Sequence, residues 1–124
     1  MTGPLAVALV ALGAAVGAPL RYLADRLVQA RHDTLFPWGT FTVNVAGSAL
    51  LGFLAALPAD PAVMTGAGVG FCGALTTYST FSYETLRLAQ DRARFVAVAN
   101  VVASVAGALG AGVCGFALAR ALIG

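Results

Sequence analysis

The stretch "PAVMTGAGVGFCGALTTYSTFSY" (residues 61–83) contains no charged side chain, and its reading decides the fold. A helix needs roughly 20 apolar residues to cross the hydrocarbon layer of a bilayer, and this interval is long enough. Three more uncharged intervals accompany it: Met1–Leu20, Thr34–Ala59 and Phe95–Ala119. The chain is 60% hydrophobic and 10% charged, with a mean hydropathy of +0.89. A soluble domain carries about 25% charged residues, so these few charges could not cover a water-facing surface. Backbone groups in lipid must be satisfied internally, which makes such intervals helices. The expected fold is an all-α integral membrane protein with four transmembrane helices in a single domain.

The four spans are expected at about residues 4–29, 38–57, 62–86 and 94–120. Pro4 suits the first turn of a helix. Beyond Leu20, "RYLADRLVQA" keeps apolar residues at helical spacing and extends the first span. The connector "ARHDTLFPWG" carries Arg31 and Trp38, side chains suited to the membrane–water interface. "PADP" is a proline-rich turn between spans two and three. A signal peptide would need a basic residue ahead of its apolar run, and no Lys or Arg precedes Arg21. Cys72 and Cys114 both fall in apolar spans and read as small hydrophobes. The net charge of +2 carries little information about a partner, and no nucleic-acid partner is expected.

Small residues are frequent in spans two and four, including Gly47, Gly52, Gly112 and Gly115. They let lipid-embedded helices approach closely, without saying for what purpose. Span three differs. Gly66, Gly68, Gly70 and Gly73 lead into Thr76 and Thr77, and glycine is costly in a helix interior. A break near Gly73–Thr77 would free backbone carbonyls and amides, which survive at membrane depth where they line a cavity or bind something. An unbroken glycine-containing span is the alternative.

After the break, "TTYSTFSYE" (76–84) concentrates five Ser or Thr hydroxyls, two tyrosines, Phe81 and Glu84. In a resumed helix, Tyr78 and Phe81 share one face, and Thr77, Thr80 and Glu84 form a neighbouring row. Hydroxyls in membrane helices often bond their own i−4 carbonyl, but that accounts poorly for so dense a cluster. Asn44 lies well inside span two, and a polar residue at that depth faces the protein interior or water. Mid-span carboxylates and bases are missing apart from Glu84 near an end, so the wall does not resemble a proton relay. Hydroxyl and amide hydrogens donate to anions, and aromatic ring edges are weakly positive. The chemistry points to a path for a small anion without naming it.

The segments "GAPLRY" (17–22), "WGTFTVNVAGS" (38–48) and "GFCGALTTYSTFSYE" (70–84) resemble the small bacterial fluoride channels of the Fluc, or CrcB, family. The resemblance covers essentially the whole chain, span four mainly by length and glycines. It implies a fluoride channel of the bacterial inner membrane, not an enzyme, exporting fluoride down its electrochemical gradient and so limiting toxicity. It implies antiparallel dimers of four-helix subunits with pores at the subunit boundary. By the motif, Thr40, Asn44, Ser79 and Thr80 supply hydrogen-bonding groups along the fluoride path. Tyr78 and Phe81 occupy the aromatic positions, and Glu84 lies near a pore end. The carbonyls of Gly73 and Thr76 would hold a structural, untransported sodium ion, and Arg21 matches the family's first-span arginine.

Tyr78 departs from the phenylalanine usual at the first aromatic position, and Ala74 stands where a second glycine is common. If the spans alternate, Arg21, Arg26, Arg31, Arg87, Arg92 and Arg94 share one side and Arg120 the other. The positive-inside rule then favours one fixed orientation with both termini outside. The dimer is therefore expected either as a homodimer or as a heterodimer with an oppositely oriented paralogue. Two other readings compete. A small multidrug-type exporter would need a first-span carboxylate, which Met1–Leu20 lacks. A non-conducting packing subunit would leave "TTYSTFS" without a role.

Overall fold

The computed structural model describes residues 3–58 and 60–123. Met1, Thr2, Ala59 and Gly124 lie outside the described residues, and with them the start of the first uncharged interval, part of the "PADP" turn and the end of the chain. Every secondary-structure element among the described residues is a helix, with no strand. Helix α1 spans Gly3–Ala30 and α2 spans Trp38–Ala56. Helix α3 covers residues 61–75, beginning at Pro61–Val63, widening into π-helix over Met64–Cys72 and narrowing again at Gly73–Leu75. Helix α4 is Ser79–Gln90 and α5 is Arg94–Ile123.

Three of these, α1, α2 and α5, are individually long and apolar enough to cross a membrane. The interval expected as the span at about 62–86 is instead two helices, α3 and α4, separated at residues 76–78. Thr76 is extended there, at φ −83 and ψ 160. Local sequence explains the start of α3: Asp60 Oδ1 accepts from the Ala62 N–H at 2.9 Å, and Pro61 occupies the first turn. The connector after α4 reverses tightly through Arg92, whose φ of 65 is left-handed. The Ala93 and Arg92 amides close back on the Leu88 and Ala89 carbonyls there.

Exposure is distributed as lipid requires. Leu12, Val69, Phe95 and Leu122 are exposed, whereas Thr40, Asn100 and Ser104 are buried. Polar groups lie inside because they find hydrogen-bond partners there that hydrocarbon cannot provide. At the α1–α2 connector, Phe36, Trp38 and Phe41 pack at tilted and edge-to-face angles, with His32 beside Trp38. Such a cluster suits the headgroup layer.

Two helix pairs organise the packing. Helix α3 runs alongside α1, Gly13 meeting Gly66 and Phe71, and Gly17 meeting Phe71 and Ala74. Contacts advance in the same direction on both, so α1 and α3 are parallel. Helix α5 runs parallel to α2 in the same way, from Phe41 against Gly107 to Ala49 against Gly115. A Cβ on Gly115 would collide with the Ala49 carbonyl, so this crossing depends on bare backbone. Helix α2 also packs on α1, joining the two pairs, and carries its other face to the break after α3.

Candidate functional site

The break at residues 76–78 is held by one side chain of α2. Asn44 Oδ1 accepts the Thr77 N–H at 2.7 Å, and Asn44 Nδ2 donates to the Thr77 carbonyl at 3.0 Å. An uninterrupted helix would use that same Thr77 N–H to bond the Gly73 carbonyl. Its diversion to Asn44 ends α3 and leaves the Gly73 carbonyl without its helical donor. Thr76 bonds inward, its N–H and hydroxyl both donating to the Cys72 carbonyl at 3.0 and 2.9 Å. Thr77 then opens α4, its Oγ1 accepting the Thr80 N–H at 3.1 Å as a helix N-cap does. Gly47 makes room, because a Cβ there would strike Thr76 Cγ2.

Two cavities meet at this break. The larger, about 600 Å³, is an open groove lined by Asn44, Gly47, Gly73, Thr76, Thr77, Tyr78, Phe81 and Ser104 among mainly apolar neighbours. The smaller, about 210 Å³, is lined by Arg21, Tyr22, Asp25, Thr40, Val43, Thr77 and Thr80. Thr77 belongs to both walls. Asn44, Tyr78 and Phe81 thus come together on the groove, while Arg21, Thr40 and Thr80 gather in the smaller cavity. Ser79 lines neither; it is exposed, its hydroxyl 3.5 Å from that of Thr77. Glu84 lies one turn beyond Thr80, its carboxyl beside Thr40.

The two sites differ in electrostatics. On the groove the polar side chains are uncharged, and Asn44 keeps one amide hydrogen beyond the one given to Thr77. The Tyr78 and Phe81 rings lie 6.2 Å apart at 48°, with Tyr78 81% exposed at the groove's outer edge. The smaller cavity is charged. Arg21 Nε in its wall, and Glu84 Oε1 behind Thr40, are buried without a hydrogen-bond partner among the described residues. Asp25 reaches the start of α2, where a Cβ on Gly39 would collide with its carboxylate. Unpaired charged atoms around a polar cavity call for water or an ion.

A third polar group was not anticipated from the sequence. Asn100 and Ser104 on α5, with Thr85 on α4, form a hydrogen-bond chain to the Phe81 carbonyl, buried at its α5 end. Its signal was present: an Asn and a Ser at i, i+4 inside the uncharged interval Phe95–Ala119, the same pattern that singles out Asn44.

A family model for "CrcB-like protein, Camphor Resistance (CrcB)" matches residues 8–116. The chain belongs to the CrcB-like family. That match includes every lining residue of both cavities. Curated relatives bear it out end to end. "Fluoride-specific ion channel FluC 1" of Frankia casuarinae is 61% identical over 125 residues, covering 94% of this chain and 97% of the relative. The protein of the same name in Streptomyces avermitilis is 58% identical over 118 residues, covering 92% and 95%. "Fluoride-specific ion channel FluC 2" of Mycobacterium tuberculosis is 52% identical over 102 residues, covering 81% and 79%.

Proposed function

We propose that the chain is a subunit of a fluoride-selective channel in the bacterial cell membrane, a multi-pass protein that carries ions and catalyses no reaction. The observation that carries the reading is the Asn44–Thr77 pairing. It holds a cluster of uncharged donors at a helix break, beside Phe81, in a chain matched along its length by relatives named fluoride channels. Fluoride is small and strongly hydrated, so it crosses only where fixed donors replace its water. Asn44 Nδ2, the hydroxyls of Thr40, Ser79 and Thr80 and the ring edges of Tyr78 and Phe81 are of the right kind. Arg21 has a structural role at the smaller cavity, where Asp25 offsets its charge, with Glu84 at the same end of the path. The gradient drives fluoride outward and lowers its toxicity.

The subunit crosses the membrane four times in this reading, with α3 and α4 together forming the broken third crossing. A second subunit, inverted, seals the groove: its polar floor at Asn44, Thr76 and Thr77 is otherwise open to lipid, which backbone and amide groups tolerate poorly. The arginine bias favours a fixed orientation, and so a paralogous partner, over two copies of this chain. A sodium ion fits the break as a structural element. It takes neutral oxygen ligands, and the Gly73 and Thr76 carbonyls lie where the helical bonding pattern lapses. A Cβ on Gly73 would touch nothing within 4 Å in the subunit, so that backbone faces open space.

Reconstitution into liposomes with a fluoride electrode tests the function. Fluoride efflux far above chloride efflux, abolished by Phe81→Ile, is expected. Efflux from this chain alone establishes a homodimer; efflux only after co-expression with a paralogue establishes the heterodimer. Chloride efflux equal to fluoride, or none in either arrangement, sinks the channel reading. Exchanging sodium for a bulky organic cation should lower the thermal stability of the dimer, and an unchanged melting profile would remove the sodium.

A further inference from the structure

We infer that Asn100 is a positioning residue for Phe81, acting through Thr85; the inference rests on the channel reading above. The chain of bonds is Ser104 Oγ to Asn100 Oδ1 at 3.1 Å, Asn100 Nδ2 to Thr85 Oγ1 at 2.8 Å, and Thr85 Oγ1 to the Phe81 carbonyl at 2.8 Å. Its direction is fixed by chemistry. A carbonyl only accepts, so the Thr85 proton is committed to Phe81 and Thr85 must accept from Asn100. The Asn100 amide nitrogen therefore faces Thr85, its oxygen faces Ser104, and Ser104 donates. Asn100 is 1% exposed and Ser104 7%, so water has little access to the α5 end of the chain, while Thr85 is half-buried.

The geometry gives the chain a task. Helix α4 is 12 residues long and packs chiefly on α5, with little hold on α2. Phe81 faces the groove from α4, so rotation of α4 about its axis by the spacing of one residue, about 100°, would turn it away. The Asn100–Thr85 bond is the side-chain hydrogen bond that ties α4 to α5 among the described residues. It grips α4 one turn beyond Phe81 and is continued to the Phe81 backbone by Thr85. A buried polar link of this kind specifies one rotational setting where apolar packing accepts several. Ser104 fixes the amide from behind. Its hydroxyl proton is engaged by Asn100, so it stands at the groove's wall as a support.

The test is a flux comparison in whichever assembly conducts, normalised to folded protein. Thr85→Val keeps the side chain's shape and removes only the hydroxyl; it should lower fluoride efflux about tenfold, the scale of one lost hydrogen bond. Thr85→Ser restores the hydroxyl and should conduct within about twofold of the unaltered chain. Asn100→Leu should match Thr85→Val, and the double variant should be no worse than either alone. Ala119→Gly, at the far end of α5, supplies a comparison of similar stability and should conduct normally. Full flux in Thr85→Val overturns the inference. So does equal loss in Thr85→Ser, multiplication of the two losses, or an equal loss in Ala119→Gly. If Asn100→Leu does not fold, the valine and serine variants at 85 decide alone. Absence of fluoride efflux from the unaltered assembly would instead be a failure of the channel reading.

Discussion

The two faces of α2 solve the same problem in opposite ways. Toward α5, α2 packs by removing side chains: Gly52 and Gly115 let backbone meet backbone, with Ala49 and Gly112 opposite. Toward the break it packs by adding a polar one, Asn44, which bonds the Thr77 amide and carbonyl. The first face gives close dispersion contact between bare backbone and small side chains. The second replaces two missing helical bonds with side-chain bonds, and so keeps an irregular, polar backbone at membrane depth. One helix thus separates the part of the subunit that only holds from the part that offers donors.

The largest effect is expected where that second solution is removed. Asn44→Leu leaves the part-buried Thr77 N–H and C=O unsatisfied, a destabilisation of about 2–4 kcal/mol, and should abolish fluoride flux per folded molecule. Unfolding in detergent and liposome flux measure the two separately. Flux that survives in the folded fraction would make the Asn44 face as purely structural as the other. Gly115→Val probes the dry face, forcing a side chain into the Ala49 carbonyl. It should cost about 1–3 kcal/mol and leave flux per folded molecule unchanged. A selective flux defect there would erase the contrast. The smallest effect lies away from both faces, at the α4–α5 turn. Arg92 holds a left-handed φ of 65, so Arg92→Gly should stabilise by about 1 kcal/mol, read as a rise in melting temperature with flux unaltered.

Much of this molecule was legible before any coordinates. Four uncharged intervals in a chain with 10% charged residues require helices in lipid, because no other local structure satisfies its own backbone there. The glycines before Thr76 and the polar cluster after it pointed to a break near Gly73–Thr77, with an unbroken span as the open alternative. The interruption indeed lies at residues 76–78, a little beyond Gly73, which remains helical. Glycine lowers helix propensity but does not end a helix; the competing bonds from Asn44 do.

Tertiary structure alone decided how the polar residues divide. The family resemblance placed Thr40, Asn44, Ser79 and Thr80 in one set; in the subunit Thr40 and Thr80 line a charged cavity with Arg21, Asn44 lines the open groove, and Ser79 lines neither. Helical periodicity gives the face of one helix but not which neighbour that face meets. The hydrogen-bond chain from Ser104 to Phe81 depends on the same information, since its bonds join residues on two helices whose mutual rotation no local pattern encodes. Hydropathy and backbone chemistry therefore determined that the chain is helical and lies in a membrane. The rotation and pairing of those helices determined which of its few polar groups meet.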